Sequence, residues 1–446
     1  MKMLLSVLAL FAGLVLMPAS AWAQQGWSIH HFALQLQPQF NTKTIVGTLD
    51  MDFTMQDRGL RQLDLNAGDL VVDTISLGDH PLVFEKIAQR LRVVLPAGLV
   101  VGSRQKLRIR YNGKASDGLR FDAGIQQVAT AFSTSSWMPC LDDPSVRATF
   151  ALTLLLPPQL ISVGNGSPNV PLPQTDQLTR HIWKLDTAMP SYLYGFAVGP
   201  FEQAQQVVGT TTLQYFGPQP FTPKTLLEVF NESADMLAFY EKRSGVAYPF
   251  AAYRQVLLAG PAAQEMAGYS VMGLRYGQRV LTNPQSVWLG AHEMAHQWWG
   301  NGLTNRSWRH FWLNEGIASF MTAAYLEHRF GTEAYEEQIT AARAKYKEIK
   351  DAGLDRSLVF PNWDAPTASD RSLVYDKGTL VMHELRKLMG EERFWKGLAY
   401  YTRTHWGQSV ETANFQLAME ASSGMDLGAF FRHWVYLQDL SGKPSL

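Results

Sequence analysis

His292-Glu293-Met294-Ala295-His296 sets two histidines four residues apart with a glutamate directly after the first. On a helix that spacing puts both imidazoles on one face, where they can offer two nitrogens to one tetrahedral zinc. Glu293 points along the same cleft and can take a proton from a water that the metal activates. A hydrolytic zinc keeps one position open and needs a third protein ligand. Glu315, in Asn314-Glu315-Gly316 nineteen residues past His296, is the candidate. The set therefore supports metal-assisted hydrolysis with one zinc per chain. An H-E-x-x-H string arises by chance in roughly one chain in a hundred of this length. Alone it would leave a helix with two surface histidines as the alternative. The N-E-G at a two-helix spacing lowers that chance by a further factor of about a hundred.

Those residues need helices to hold them. Ser286 can cap a motif helix running to about Trp299, with Gly300 and Gly302 as stops. A second helix, about 313–330, carries Glu315. From about Thr222 apolar residues recur with a period of 3.6, as in Leu226, Val229, Phe230, Leu237 and Tyr240. Further helices are expected around 333–350, 376–389, 391–403, 411–422 and 427–436. Residues 250–282 read as mixed, with a strand over 253–258. The first half is different. Phe32-Ala33-Leu34-Gln35-Leu36-Gln37 and Leu107-Arg108-Ile109-Arg110-Tyr111 alternate as strands do, and Asn112-Gly113 and Asn165-Gly166 signal turns. The expected fold is α+β: an antiparallel β-domain over 24–206, then a mainly helical domain over 207–446. The polar stretch Gln203–Thr211 is the expected boundary.

The chain has 446 residues, with 39 Lys+Arg against 39 Asp+Glu, so it carries no electrostatic footprint for nucleic acid. Lys2, an apolar run to Met17 and Ala21-Trp22-Ala23 form a signal-peptide pattern with cleavage expected after Ala23. No later segment is apolar for long enough to span a membrane. Cys140 is the only cysteine, so an exported chain has no internal disulfide. A bacterial periplasm fits that better than a eukaryotic secretory route. Cys140 itself, between Pro139 and Leu141 with no basic neighbour, reads as a buried structural thiol.

Several stretches together resemble the gluzincin aminopeptidases, the group of aminopeptidase N and leukotriene hydrolase. His292 to Asn301 is similar to their H-E-x-x-H-Q-W-x-G-N helix, and Trp312-Leu313-Asn314-Glu315-Gly316 to their W-L-N-E-G element. Tyr375-Asp376-Lys377-Gly378 resembles their Y-x-K-G segment. Pro139-Cys140-Leu141-Asp142-Asp143-Pro144, Tyr192 to Gly199 and Phe430-Phe431-Arg432-His433-Trp434 resemble further family stretches. The resemblance implies a thermolysin-like catalytic domain and removal of N-terminal residues from peptides. It implies that Tyr375 donates to the oxyanion. It also implies that Glu265, in Ala262-Ala263-Gln264-Glu265-Met266-Ala267-Gly268, binds the substrate's α-amine, with Gly268 beside the peptide. This last stretch departs from the family's G-A-M-E-N-W-G, since Gln264 and Met266 stand where Met and Asn are usual. Thr322 stands where an acidic residue is frequent. The sequence stops at Leu446, where relatives continue into a helical domain. The expectation is a short form with a more open cleft, or one that a homodimer covers. Two other readings share the metal site: an endopeptidase indifferent to the α-amine, and a peptide-binding module that keeps zinc as a scaffold. Intact Glu293 speaks against the second.

Overall fold

A computed structural model describes residues 26–437, apart from 115, 117, 123, 125, 131, 176, 261, 262, 361, 362, 364 and 365. The expected signal peptide and Ala262 lie outside the described residues.

Alternation builds the N-terminal half. In Trp27–Gln39, Phe32, Leu34 and Leu36 turn inward and are buried, while Gln35 faces solvent. This strand pairs antiparallel with Thr44–Met55 and, on its other side, parallel with Arg147–Leu156. The β-domain is thus not purely antiparallel. A long stretch of chain separates the parallel pair, so no hairpin dictates their direction. Leu178–Pro190 extends the same nine-stranded sheet on one side, and Arg104–Lys114 and Val71–Leu77 extend it on the other. A four-stranded sheet contains Gln127–Thr130 and Phe196–Gly199. The core between them holds fully buried Tyr111 and Trp137, and the Tyr111 hydroxyl donates to the Trp137 carbonyl at 2.7 Å. Cys140 is buried there too. Burial and the neighbouring Asp142 carboxylate push its thiol up, which suits a packed thiol and not a nucleophile.

After Gly199 the chain changes sheets. Phe201–Val208 pairs with Thr211–Pro218 at one edge of a five-stranded sheet. Ala252–Leu258 and Tyr269–Gly273 follow, and Gln264–Met266 forms the other edge. The polar stretch expected as a boundary is therefore a strand and its turn. Gln203 and Gln205 are exposed because one face of an edge strand meets water.

The helices carry the ligands. The motif helix, Trp288–Ala295, is shorter than expected, and Val287 occupies its N-cap in place of Ser286. Beyond Ala295 the amides of Gln297 and Trp298 bond three residues back, to Met294 and Ala295, so the chain tightens out of the α-helix. Tyr240 pins this helix by donating to the Ala291 carbonyl at 2.9 Å. Trp298 and Trp299 are buried packing residues, and their indole N–H groups reach the Val246 carbonyl and Thr402 Oγ1. The helix Trp312–Phe330 lies against the motif helix and buries Ile317, Phe320 and Met321. Among the described residues no helix is long and apolar enough to cross a membrane.

Candidate metal centre

The two helices bring His292, His296 and Glu315 together, all buried. His292 Nε2 and His296 Nε2 are 3.0 Å apart, and Glu315 Oε2 is 3.3 and 3.4 Å from them. Ligands about 2.05 Å from a tetrahedral zinc lie about 3.3 Å from one another. The triangle is thus one face of such a tetrahedron.

The tautomer agrees. His296 Nδ1 lies 3.0 Å from the Trp299 carbonyl. A carbonyl only accepts, so Nδ1 carries the proton and Nε2 turns a lone pair inward. Gly300 makes that contact feasible. It sits at φ +136°, and a Cβ there would come within 2.8 Å of His296 Nδ1. Glu315 occupies the first turn of its helix, where the helix dipole favours a carboxylate.

The charges around this point are unbalanced without a cation. Burial alone would lower the His296 pKa, but Glu315, Glu265 and Glu293 overcome it and push it up to about 10. Burial and the second imidazole lower His292. Glu315 is held below the usual carboxylate range by the two imidazoles, against the effect of burial. Its Oε2 has no hydrogen-bond partner. An inward His296 lone pair, the His292 Nε2 3.0 Å from it and a buried Glu315 oxygen with no hydrogen-bond partner fit a divalent cation with nitrogen and oxygen ligands.

Glu293 is buried with its Oε2 free of hydrogen bonds, and burial raises its pKa well above the usual value. Tyr375 lies in a π-turn, Leu373–Lys377, that leads into the helix Gly378–Met389. Its ring stacks on His292 with centroids 5.9 Å apart. The residue is 37% exposed, yet burial of its hydroxyl and the facing Glu315 carboxylate raise its pKa. Gly316 and Gly378 let these segments touch. A Cβ on Gly316 would lie 2.8 Å from the Gly378 Cα, and one on Gly378 would lie 2.7 Å from the Gly316 Cα. Fully buried Lys377 anchors the turn through Asp355 and the Arg356 carbonyl, at 2.8 and 2.9 Å.

Glu265 sits on the edge strand Gln264–Met266. Burial pushes its carboxyl up to about 7, with Glu315 adding to the rise and His296 opposing it. Gly268 turns the chain at φ +82°. Its N–H donates to Gln297 and its carbonyl accepts from Arg254. The N–H is therefore engaged within the protein, and the positive φ makes Gly268 the residue that turns the chain here.

Sequence reasoning passed over the residues that hold this hairpin. Gln297 Nε2 and Asn301 Nδ2 both donate to the Met266 carbonyl, at 3.0 and 3.1 Å. Asn165 Nδ2 donates to the Ala267 and Leu193 carbonyls, and its Oδ1 accepts from Gly195. The Tyr192 hydroxyl donates to Gly300 at 2.6 Å. Gln297 and Asn301 follow the second histidine at fixed offsets inside the motif, which was the available signal. Asn165 is marked locally only as a turn residue before Gly166, because the partners of its side chain are far along the chain.

A β-domain feeding a helical domain, with a two-histidine, one-glutamate centre and a buried glutamate beside it, is an arrangement suited to a zinc metallopeptidase site. The Peptidase M1 N-terminal domain matches residues 28–193 and the Peptidase family M1 domain matches residues 228–434. The chain belongs to peptidase family M1. It is 23% identical to "Aminopeptidase 2, mitochondrial" of Saccharomyces cerevisiae over 91% of this chain and 45% of that protein. It is 24% identical to "Aminopeptidase M1" of Arabidopsis thaliana over 90% of this chain and 49% of that protein. The chain spans about half the length of these relatives. An M1 zinc metallopeptidase from Deinococcus radiodurans has the same fold, with a TM-score of 0.78 at 24% identity over 95% of this chain and 96% of that one. An E323A mutant of the Deinococcus radiodurans enzyme, bound to a Tyr-Ser-Ala substrate, matches with a TM-score of 0.76 at 22% identity over 95% of this chain and 97% of that one.

Proposed function

We propose that this chain is a zinc aminopeptidase that removes N-terminal residues from peptides. The observation that carries the reading is Glu265. It is a desolvated carboxylate on a sheet edge, within electrostatic reach of the metal ligands Glu315 and His296. A cationic α-amine is the natural partner for such a group, and the pairing sets the first peptide bond beside the metal. The aminopeptidase names of the relatives and the tripeptide bound to the Deinococcus radiodurans mutant support the same reading.

His292, His296 and Glu315 would hold the zinc, which supplies Lewis acidity and makes water nucleophilic near neutral pH. Glu293 takes the proton as the water oxygen bonds to the carbonyl carbon. It then delivers that proton to the departing nitrogen as the C–N bond breaks. The Tyr375 hydroxyl donates to the oxyanion that develops between these steps.

The test is a panel of short peptides with free and N-acetylated termini. Free peptides should lose residues one at a time from the N-terminus, and acetylated ones should resist. Internal cutting of acetylated peptides at comparable rates would replace this reading with the endopeptidase. We also propose export to a bacterial periplasm, from the leader pattern and the single cysteine. N-terminal sequencing of protein recovered from cells should begin at Gln24, and a retained leader would refute export.

A further inference from the structure

The strand that carries Glu265 is only three residues long, Gln264–Met266, and pairs with Tyr269–Gly273 on one side. As the edge of its sheet, this strand has a backbone partner on one side only, so side-chain contacts must secure the other. What holds it is a set of side-chain contacts, and the one nearest Glu265 belongs to Gln264. This residue is 3% exposed, and both ends of its amide are engaged. Its Oε1 accepts from the Phe132 N–H at 2.5 Å, and its Nε2 donates to the Tyr192 carbonyl at 3.1 Å. Both partners belong to the N-terminal domain, and they come from separate segments of it.

Two features make this contact more than packing. Phe132 stands at φ +60°, a conformation that a non-glycine residue adopts at a cost. The bond from its amide to Gln264 offsets that cost. Tyr192 reaches the other side of the site as well. Its hydroxyl donates to Gly300 at 2.6 Å and lies 3.5 Å from Asn314 Nδ2, next to the ligand Glu315. Gln264 thereby ties the amine-binding strand to the same tyrosine that braces the metal side. Successive residues of a strand point to opposite faces, so Gln264 can grip the N-terminal domain while Glu265 faces the cleft.

We infer that Gln264 is a positioning residue that makes the N-terminal domain a part of amine recognition. It fixes the distance between the Glu265 carboxylate and the metal without touching substrate. A methionine here would match its length and fill its space but make neither bond. The inference rests on the reading of Glu265 as the amine site.

The experiment uses two inhibitors that grip the metal alike and differ only in the α-amine: L-leucine hydroxamate and its des-amino analogue, 4-methylpentanohydroxamate. Inhibition constants are measured for the wild type, Gln264→Met and Glu265→Ala, with zinc content and melting temperature recorded for each. In the wild type the amino compound should bind at least tenfold tighter. Equal binding there, unaltered in Glu265→Ala, would sink the amine reading itself. In Gln264→Met the amino compound should weaken by roughly tenfold, the worth of one or two lost hydrogen bonds. The des-amino compound should stay within twofold. A merely structural role would weaken both together. Equal weakening of the two, or no change in either, overturns the inference. Should Gln264→Met fail to fold with zinc, Gln264→Asn keeps the amide one methylene short and must show the same split.

Discussion

Glu293 and Tyr375 can be tested by changes of a single atom or group. Glu293→Gln keeps size and shape but removes the base. Zinc content should stay at about one per chain while kcat falls by about 10²–10⁴-fold. Loss of the metal together with activity would assign Glu293 to metal binding. Tyr375→Phe removes one hydroxyl from a ring already stacked on His292. A donor that acts only on the developing oxyanion should cost about 10²–10³-fold in kcat with KM little changed. An unchanged kcat with a raised KM would place the hydroxyl in ground-state binding.

At the scale of elements, the contact of Gly316 with Gly378 decides how close the Glu315 helix comes to the Tyr375 turn. Gly316→Ala sets a methyl 2.8 Å from the Gly378 Cα, and the atom in the way is backbone, which cannot swing aside. The helices must part, at about 1–3 kcal/mol of overpacking. A lower melting temperature should accompany a disproportionate loss of kcat, since a shift of about 1 Å can cost roughly 100-fold. A melting temperature and kcat both equal to the wild type would show that the contact is slack. This also marks what the sequence could reveal. His292, His296, Glu293 and Glu315 were legible because a helix fixes residues four apart on one face. Their meeting across two helices followed only from spacing. The short motif helix was not legible, because the tightened turn after Ala295 serves the Trp299 carbonyl behind His296. The expected boundary stretch Gln203–Thr211 coincides with the edge strand Phe201–Val208 and its turn, because an edge strand shows water a polar face. The clamp on Met266, Ala267 and Gly268 joins residues up to 102 positions apart, and no local pattern predicts that.

Across the whole molecule, the two halves share the site. Arg147 Nη1 donates to Thr304 Oγ1 at 2.6 Å, Tyr192 reaches Gly300, and Asn165 reaches Ala267. Asn165 is fully buried, so Asn165→Ala would orphan the Ala267 carbonyl and the Gly195 amide and leave the Leu193 carbonyl only its bond from the Ala267 N–H. Each buried polar group left without a partner costs about 1–3 kcal/mol. The melting temperature should fall by several degrees, and amine-dependent binding should weaken with it. A variant as stable as the wild type would show that water takes over those groups. The central claim is that a metal held by His292, His296 and Glu315 drives removal of N-terminal residues. It is tested most directly by following release of the first amino acid from a free tripeptide before chelation, after exhaustive chelation, and after return of about one equivalent of zinc. Release should stop with the metal gone and recover with that one equivalent; undiminished release from metal-free protein would contradict the account.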